Sequence, residues 1–161
     1  MSKPDAELRL RLTELLTNSQ AHMGFEEAVK DFPMDKINAT FPYGDYSAWG
    51  LLEHLRLTQN DIWEFMDNPN YHEPEWPKDY WPDAKTVATP KMWQKSLDGF
   101  RTDLQKLVDL VNNPKTNLEA KVADGTGQTI LREILVVVDH NAYHIGEFAI
   151  MRQVMGTWGK R

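Results

Sequence analysis

The stretch ILREILVVVDHNAYHIGEFAIMRQVMG, residues 130–156, decides the fold. Ile130, Leu131, Ile134, Leu135, Val137, Val138, Ile145, Phe148, Ile150 and Met151 cover most of the circumference of one helix. A helix that is apolar nearly all round is expected to lie buried among others. In its middle sit His140 and His144. Side chains four apart on a helix project side by side, with Cβ atoms ~5–6 Å apart, so two imidazoles can reach one ion. The same pair can equally be two core histidines whose ring nitrogens are satisfied by hydrogen bonds. The spacing is not the zincin motif, because position 141 is Asn where that motif places its general-base Glu.

Three further helical patterns precede this one. The first is expected from about Pro4 to Asp31, with Leu8, Leu12, Leu15, His22 and Val29 on one stripe and Pro33 beyond its end. The second opens at Ser47, an N-cap residue after the turn PYGDY, and runs to about Asp67. Leu51, Leu55, Thr58, Ile62 and Phe65 form its apolar stripe, and His54 borders it. The third is announced by Thr89 as N-cap and Pro90 in the first helical position. Trp93, Leu97, Phe100, Leu104, Leu107 and Val111 follow helical spacing until Asn112, Asn113 and Pro114 stop it. Strand patterns are weak throughout. Four such segments predict an all-α chain, an antiparallel four-helix bundle in a single domain over residues 1–161. The connection between the second and third helices, residues 68–88, is long for a compact domain and carries Tyr71, Trp76, Tyr80 and Trp81 among four prolines. It reads either as a lid over a site or as a knot that pins the connection to the bundle.

Composition narrows the chemistry. The chain has 161 residues, 41% hydrophobic and 26% charged, in the ordinary globular range. It has no cysteine, which excludes disulfides, thiolate ligands and a cysteine nucleophile, so a metal must be held by nitrogen and oxygen. A net charge of −6 without a basic run argues against nucleic acid as partner. The start MSKPDAELRL lacks the apolar core of a signal peptide, and no apolar run approaches the ~20 residues that span a bilayer. A cytoplasmic location and no membrane partner are expected.

His54 lies mid-way along the second helix, and bundle ligands commonly come from facing helices at mid-height. Joined to His140 and His144 it would make a three-histidine site with open positions, the pattern of a catalytic rather than a closed structural metal; the pattern fits equally a satisfied core pair and an unrelated His54. Here the chain resembles a known family. YSAWGLLEHLRLTQNDIWEF together with GQTILREILVVVDHNAYHIGEFAIMRQVMG is similar to the DinB-like (DNA-damage-inducible, YfiT-like) metalloproteins, and NPNYHEPEWPKDYWP and AHMGFEEAV resemble one subgroup of them. The resemblance covers most of the chain. It implies a four-helix bundle, often a homodimer, that binds a divalent metal through His54, His140 and His144. It also implies either a thiol-dependent S-transferase using a low-molecular-weight thiol, a metal-dependent hydrolase, or a non-catalytic metal-binding stress protein. The partner expected is a small-molecule substrate.

Zinc and nickel suit imidazole ligands best here, with iron and manganese as alternatives. Zn²⁺ lowers the pKa of a bound water to about 7 and deprotonates a coordinated thiol. With no cysteine in the chain, a thiol nucleophile must come from a small cofactor. Glu147, one turn beyond His144, and Asp61, two turns beyond His54, are candidates to move protons or orient a ligand, as is Glu133. His22 is a candidate proton shuttle if its stripe faces inward, and His72 reads as a surface residue. Arg56 and Arg152, with Arg132, are candidates to bind the carboxylates of a thiol cofactor, and helix-surface salt bridges explain them equally well.

Overall fold

The computed structural model describes residues 2–40, 44–123 and 125–158. The turn PYGDY lies partly outside these, since residues 42 and 43 are not described. Among the described residues the chain is all-helical: α1 (Lys3–Thr17), the short α2 (Phe25–Val29), α3 (Ala48–Asp67), α4 (Pro90–Asn112) and α5 (Ile130–Met155). One 3-10 turn spans Met34–Lys36, and two isolated bridges, Thr40 to Ser47 and Lys121 to Thr129, stand in place of any strand. No helix among the described residues is long and apolar enough to cross a membrane.

Local chemistry starts each long helix. The hydroxyls of Ser2, Ser47, Thr89 and Thr129 accept from the backbone N–H three residues on, at Asp5, Gly50, Met92 and Arg132. Pro90 sits in the first turn, where its missing N–H costs nothing. Gly156 ends α5 in the left-handed region, φ 63°, and its N–H closes onto Arg152 and Gln153 carbonyls.

The first helix is shorter than the periodicity predicts. Asn18 turns extended (φ −110°, ψ 147°) and α1 stops at Thr17. Phe25 then restarts a five-residue helix and stacks on Phe100, centroids 3.9 Å apart. Leu12 and Val29 are buried as expected, while Leu8, Leu15 and His22 are exposed. The stripe therefore does not run continuously to Val29.

α3 packs on α4 and α5, α1 packs on the same two helices, and α2 packs on α5. The core falls into two apolar clusters. One gathers Phe25, Trp49, Leu51, Leu52, Leu55, Trp93, Phe100 and Phe148, and the other gathers Leu12, Ile62, Leu107, Val111, Ile134 and Val137. Between these positions along α3 and α5 lie the buried polar residues His54, Gln59, Asn141 and His144. α5 is not covered all round, contrary to its composition. Leu135, Tyr143, Ile150 and Val154 are 46–65% exposed on one face of it.

Candidate metal centre

Three histidines meet in the polar layer. α3 supplies His54 and α5 supplies His140 and His144. One ligand atom from each lies within 4.8 Å of the others, and among the described residues this is the one group of three or more His, Cys, Asp or Glu so placed. His54 is 2% and His144 9% exposed. The Nε2 of His54 is 3.1 Å from that of His140 and 3.2 Å from that of His144. Imidazole nitrogens about 2.0–2.1 Å from one ion sit roughly 2.9–3.4 Å apart, the range between octahedral and tetrahedral angles.

The outer nitrogens determine what the inner ones offer. His54 Nδ1 is 2.7 Å from the Tyr80 carbonyl oxygen, which can only accept, so Nδ1 carries the proton. His144 Nδ1 donates in the same way to Glu147 Oε2 at 2.6 Å. In the neutral tautomers so fixed, each Nε2 offers a lone pair, and the two face each other at 3.2 Å. Burial, with His144 adding to it and the Tyr80 carbonyl opposing it, pushes His54 down to about 4. Burial, then His144 and His54, push His140 down to about 3. Both rings are neutral at pH 7. Converging lone pairs in a buried site repel unless a cation lies between them, and neutral imidazole is the form that binds a metal.

Aromatic groups close one side. The indole of Trp81 lies flat on His54, 3.8 Å between centroids at 2°. Tyr46 leans on Trp81 at 4.9 Å, and Tyr143 stands edge-on to His144 at 4.9 Å. Burial and then the adjacent Glu147 carboxylate push the Tyr46 phenol up to about 12. Tyr46, Trp49 and Trp81 also line a cleft of about 580 Å³, within the range of small-molecule sites. The wall of that cleft is thus the back of the histidine cluster, through Trp81 onto His54 and through Tyr46 and Glu147 onto His144.

The remaining candidates have other partners. Glu147 is at the site, where it holds a ligand ring. Asp61 accepts the Tyr71 hydroxyl at 2.7 Å on one oxygen and the Tyr80 hydroxyl at 2.8 Å on the other, which pins the long loop to α3. Its carboxylate is committed to the knot and is not free as a base. Burial and then this carboxylate push both phenols up. His22 is exposed between α1 and α2, its Nδ1 2.7 Å from the Met23 carbonyl, and not on an inward stripe. His72 is exposed in the loop. Glu133 is buried and paired with Arg132 at 2.7 Å.

The two arginines read as cofactor-binding are likewise engaged. Arg56 makes a two-pronged pair with Glu53 at 2.9 and 2.6 Å, and Ser96 donates to the same carboxylate. Arg152 is 2% exposed and donates to three backbone carbonyls, Ala28, Lys30 and Thr157. Neither presents a free guanidinium to a carboxylate. The Tyr80 carbonyl, the Trp81 stack and the Gln59–Asn141 pair escaped the sequence reading. The first has no signature at all, because every residue carries a carbonyl. The aromatic richness of residues 68–88 was the one available sign of the second.

No protein-family model, no curated protein and no solved structure matches the chain.

Proposed function

We propose that this chain is a divalent-metal protein of the DinB-like type, an antiparallel four-helix bundle, and that it transfers a low-molecular-weight thiol to a small electrophile. The observation that carries the reading is the convergence of three Nε2 atoms, two of them with the proton fixed on the far side of the ring. The mutual packing of α1, α3, α4 and α5 supports the bundle. His54, His140 and His144 hold the ion, zinc or nickel before iron or manganese on the softness of the ligands. Bound there, it supplies the Lewis acidity that makes a coordinated thiol a thiolate at neutral pH. The chain's own residues do the rest. Glu147 orients His144 and accepts from Tyr46, so a phenol proton is held at the cleft side of the site. Trp81 keeps water from His54. The absence of cysteine supports a thiol that comes from outside the chain.

The test is turnover of metal-loaded protein with a panel of small electrophiles, with and without low-molecular-weight thiols. Thiol-dependent consumption of electrophile is expected, and it disappears on chelation. Turnover of esters or amides without thiol points to a hydrolase instead. Tight metal binding with no turnover on either panel leaves a non-catalytic metal-binding stress protein.

We also propose a homodimer joined through α5. Leu135, Tyr143, Ile150 and Val154 fall on one face at spacings of eight, seven and four, and all are exposed. Light scattering is expected to give twice the chain mass, and Ile150→Glu to give the monomer. A wild-type monomer at tens of micromolar ends this proposal and leaves the metal reading intact.

A further inference from the structure

His54 and His144 each have an outer nitrogen held by a fixed acceptor. For His140 a chain of amides leads to the same end. It starts at the Phe100 backbone carbonyl in α4, which can only accept. Gln59 must therefore present Nε2 to it, and does so at 2.8 Å. That leaves Gln59 Oε1 facing Asn141, so Asn141 must present Nδ2, which donates at 2.9 Å. By elimination the last atom, Asn141 Oδ1, is an acceptor.

This oxygen has no hydrogen-bond partner. Asn141 is 8% exposed, and among the described residues Oδ1 is the one buried side-chain oxygen left unpaired. An unpaired buried acceptor is destabilising, so its retention calls for a bond formed in another state of the protein. A donor is adjacent in the chain. His140 directs Nε2 at the cluster, and a neutral ring that binds through Nε2 carries its proton on Nδ1.

Resting on the metal reading above, we propose that Asn141 Oδ1 accepts the His140 Nδ1 proton when the ion is bound, so that the chain Phe100–Gln59–Asn141 positions the third ligand. Asn141 is then a positioning residue, acting through His140. The amide also accounts for Asn where the zincin spacing has Glu. It donates to Gln59 and accepts from His140 at once, which a carboxylate cannot do.

Full-length wild type, Asn141→Leu, Asn141→Asp, Gln59→Leu and the Leu/Leu double variant are titrated with Zn²⁺ against a chromophoric chelator. Co²⁺ absorption spectra and melting curves of the metal-free proteins accompany the titrations. Asn141→Leu is expected to weaken Zn²⁺ binding about 10–100-fold, the usual effect of losing a ligand's hydrogen-bond partner, and to alter the Co²⁺ bands. Gln59→Leu shifts affinity in the same direction, and the double variant is no weaker than the weaker single one, because both break one chain. Asn141→Asp keeps an acceptor for the His140 proton but loses the donor to Gln59, so its affinity is expected to lie between those of wild type and Asn141→Leu. Folded Leu variants with wild-type affinity and an unchanged Co²⁺ spectrum overturn the positioning role while one ion per wild-type chain keeps the metal reading. An Asp variant as weak as Leu overturns it also. Wild type that takes up no Zn²⁺ overturns the metal reading itself, and this inference with it. Should Asn141→Leu fail to fold, Gln59→Leu decides alone, as it leaves the ligand's neighbour in place.

Discussion

His144→Ala is expected to weaken Zn²⁺ binding by roughly 10²–10³-fold. Structural zinc sites hold their ion with about 10–16 kcal/mol spread over four ligands, so one ligand is worth roughly 3–4 kcal/mol. His144 is the ring to remove, because its orientation is fixed on both sides. Glu147 holds Nδ1 at 2.6 Å, and Nε2 stands 3.2 Å from the Nε2 of His54. A pre-set ligand loses little freedom on binding, so its full contribution appears in the affinity. The fold is expected to survive, since truncation also removes one of the facing lone pairs. Chelator competition reads the affinity, and circular dichroism of the metal-free protein checks the helices. Wild-type affinity in a folded His144→Ala protein means that the ion binds elsewhere.

Arg152→Met is expected to cost about 3–5 kcal/mol of stability, because it leaves three carbonyls without their donor and an unsatisfied buried acceptor costs about 1–3 kcal/mol. At roughly 2–4 °C per kcal/mol for a chain of this length, the melting temperature falls by about 6–20 °C. The guanidinium lies at the end of α5 and donates to the Ala28, Lys30 and Thr157 carbonyls at 2.8, 2.7 and 2.8 Å. It also stacks 4.1 Å from the Trp158 ring. Methionine keeps much of the volume and none of the donors, so the measurement isolates the hydrogen bonds from the packing. The end of α2 and Thr157 are both held by this one side chain. A melting temperature within about 2 °C of wild type shows those carbonyls to be satisfied by water instead.

What could be read in advance follows the range of the forces. Ser47, Thr89 and Gly156 were legible because caps act over three or four residues. The His140 and His144 pair was legible for the same reason, as i,i+4 geometry is internal to a helix. The break after Thr17 was missed because Leu8, Leu12, Leu15, His22 and Val29 share helical spacing in the sequence, although only Leu12 and Val29 are buried. The partner that holds α2 in place is Phe100, far along the chain. The outward face of α5 was misread for a related reason. Leu135 and Ile150 have the same composition signal as Ile134 and Phe148, and only the neighbouring helices distinguish inside from outside. Arg152 and Asp61 were read as chemistry because charge in a sequence suggests function. Their actual partners, main-chain carbonyls and loop tyrosines, are set by tertiary contact.

The loop after α3 touches His54 twice, through the Tyr80 carbonyl and the Trp81 ring. A ligand ring and a loop that share contacts form one linked equilibrium. Whatever favours His54 in its binding orientation favours the closed loop by the same free energy, and the reverse holds as a matter of reciprocity. For an ion held by the three histidines, metal content and loop order would be coupled, and a change confined to residues 68–88 would tune the affinity of an ion that it never touches.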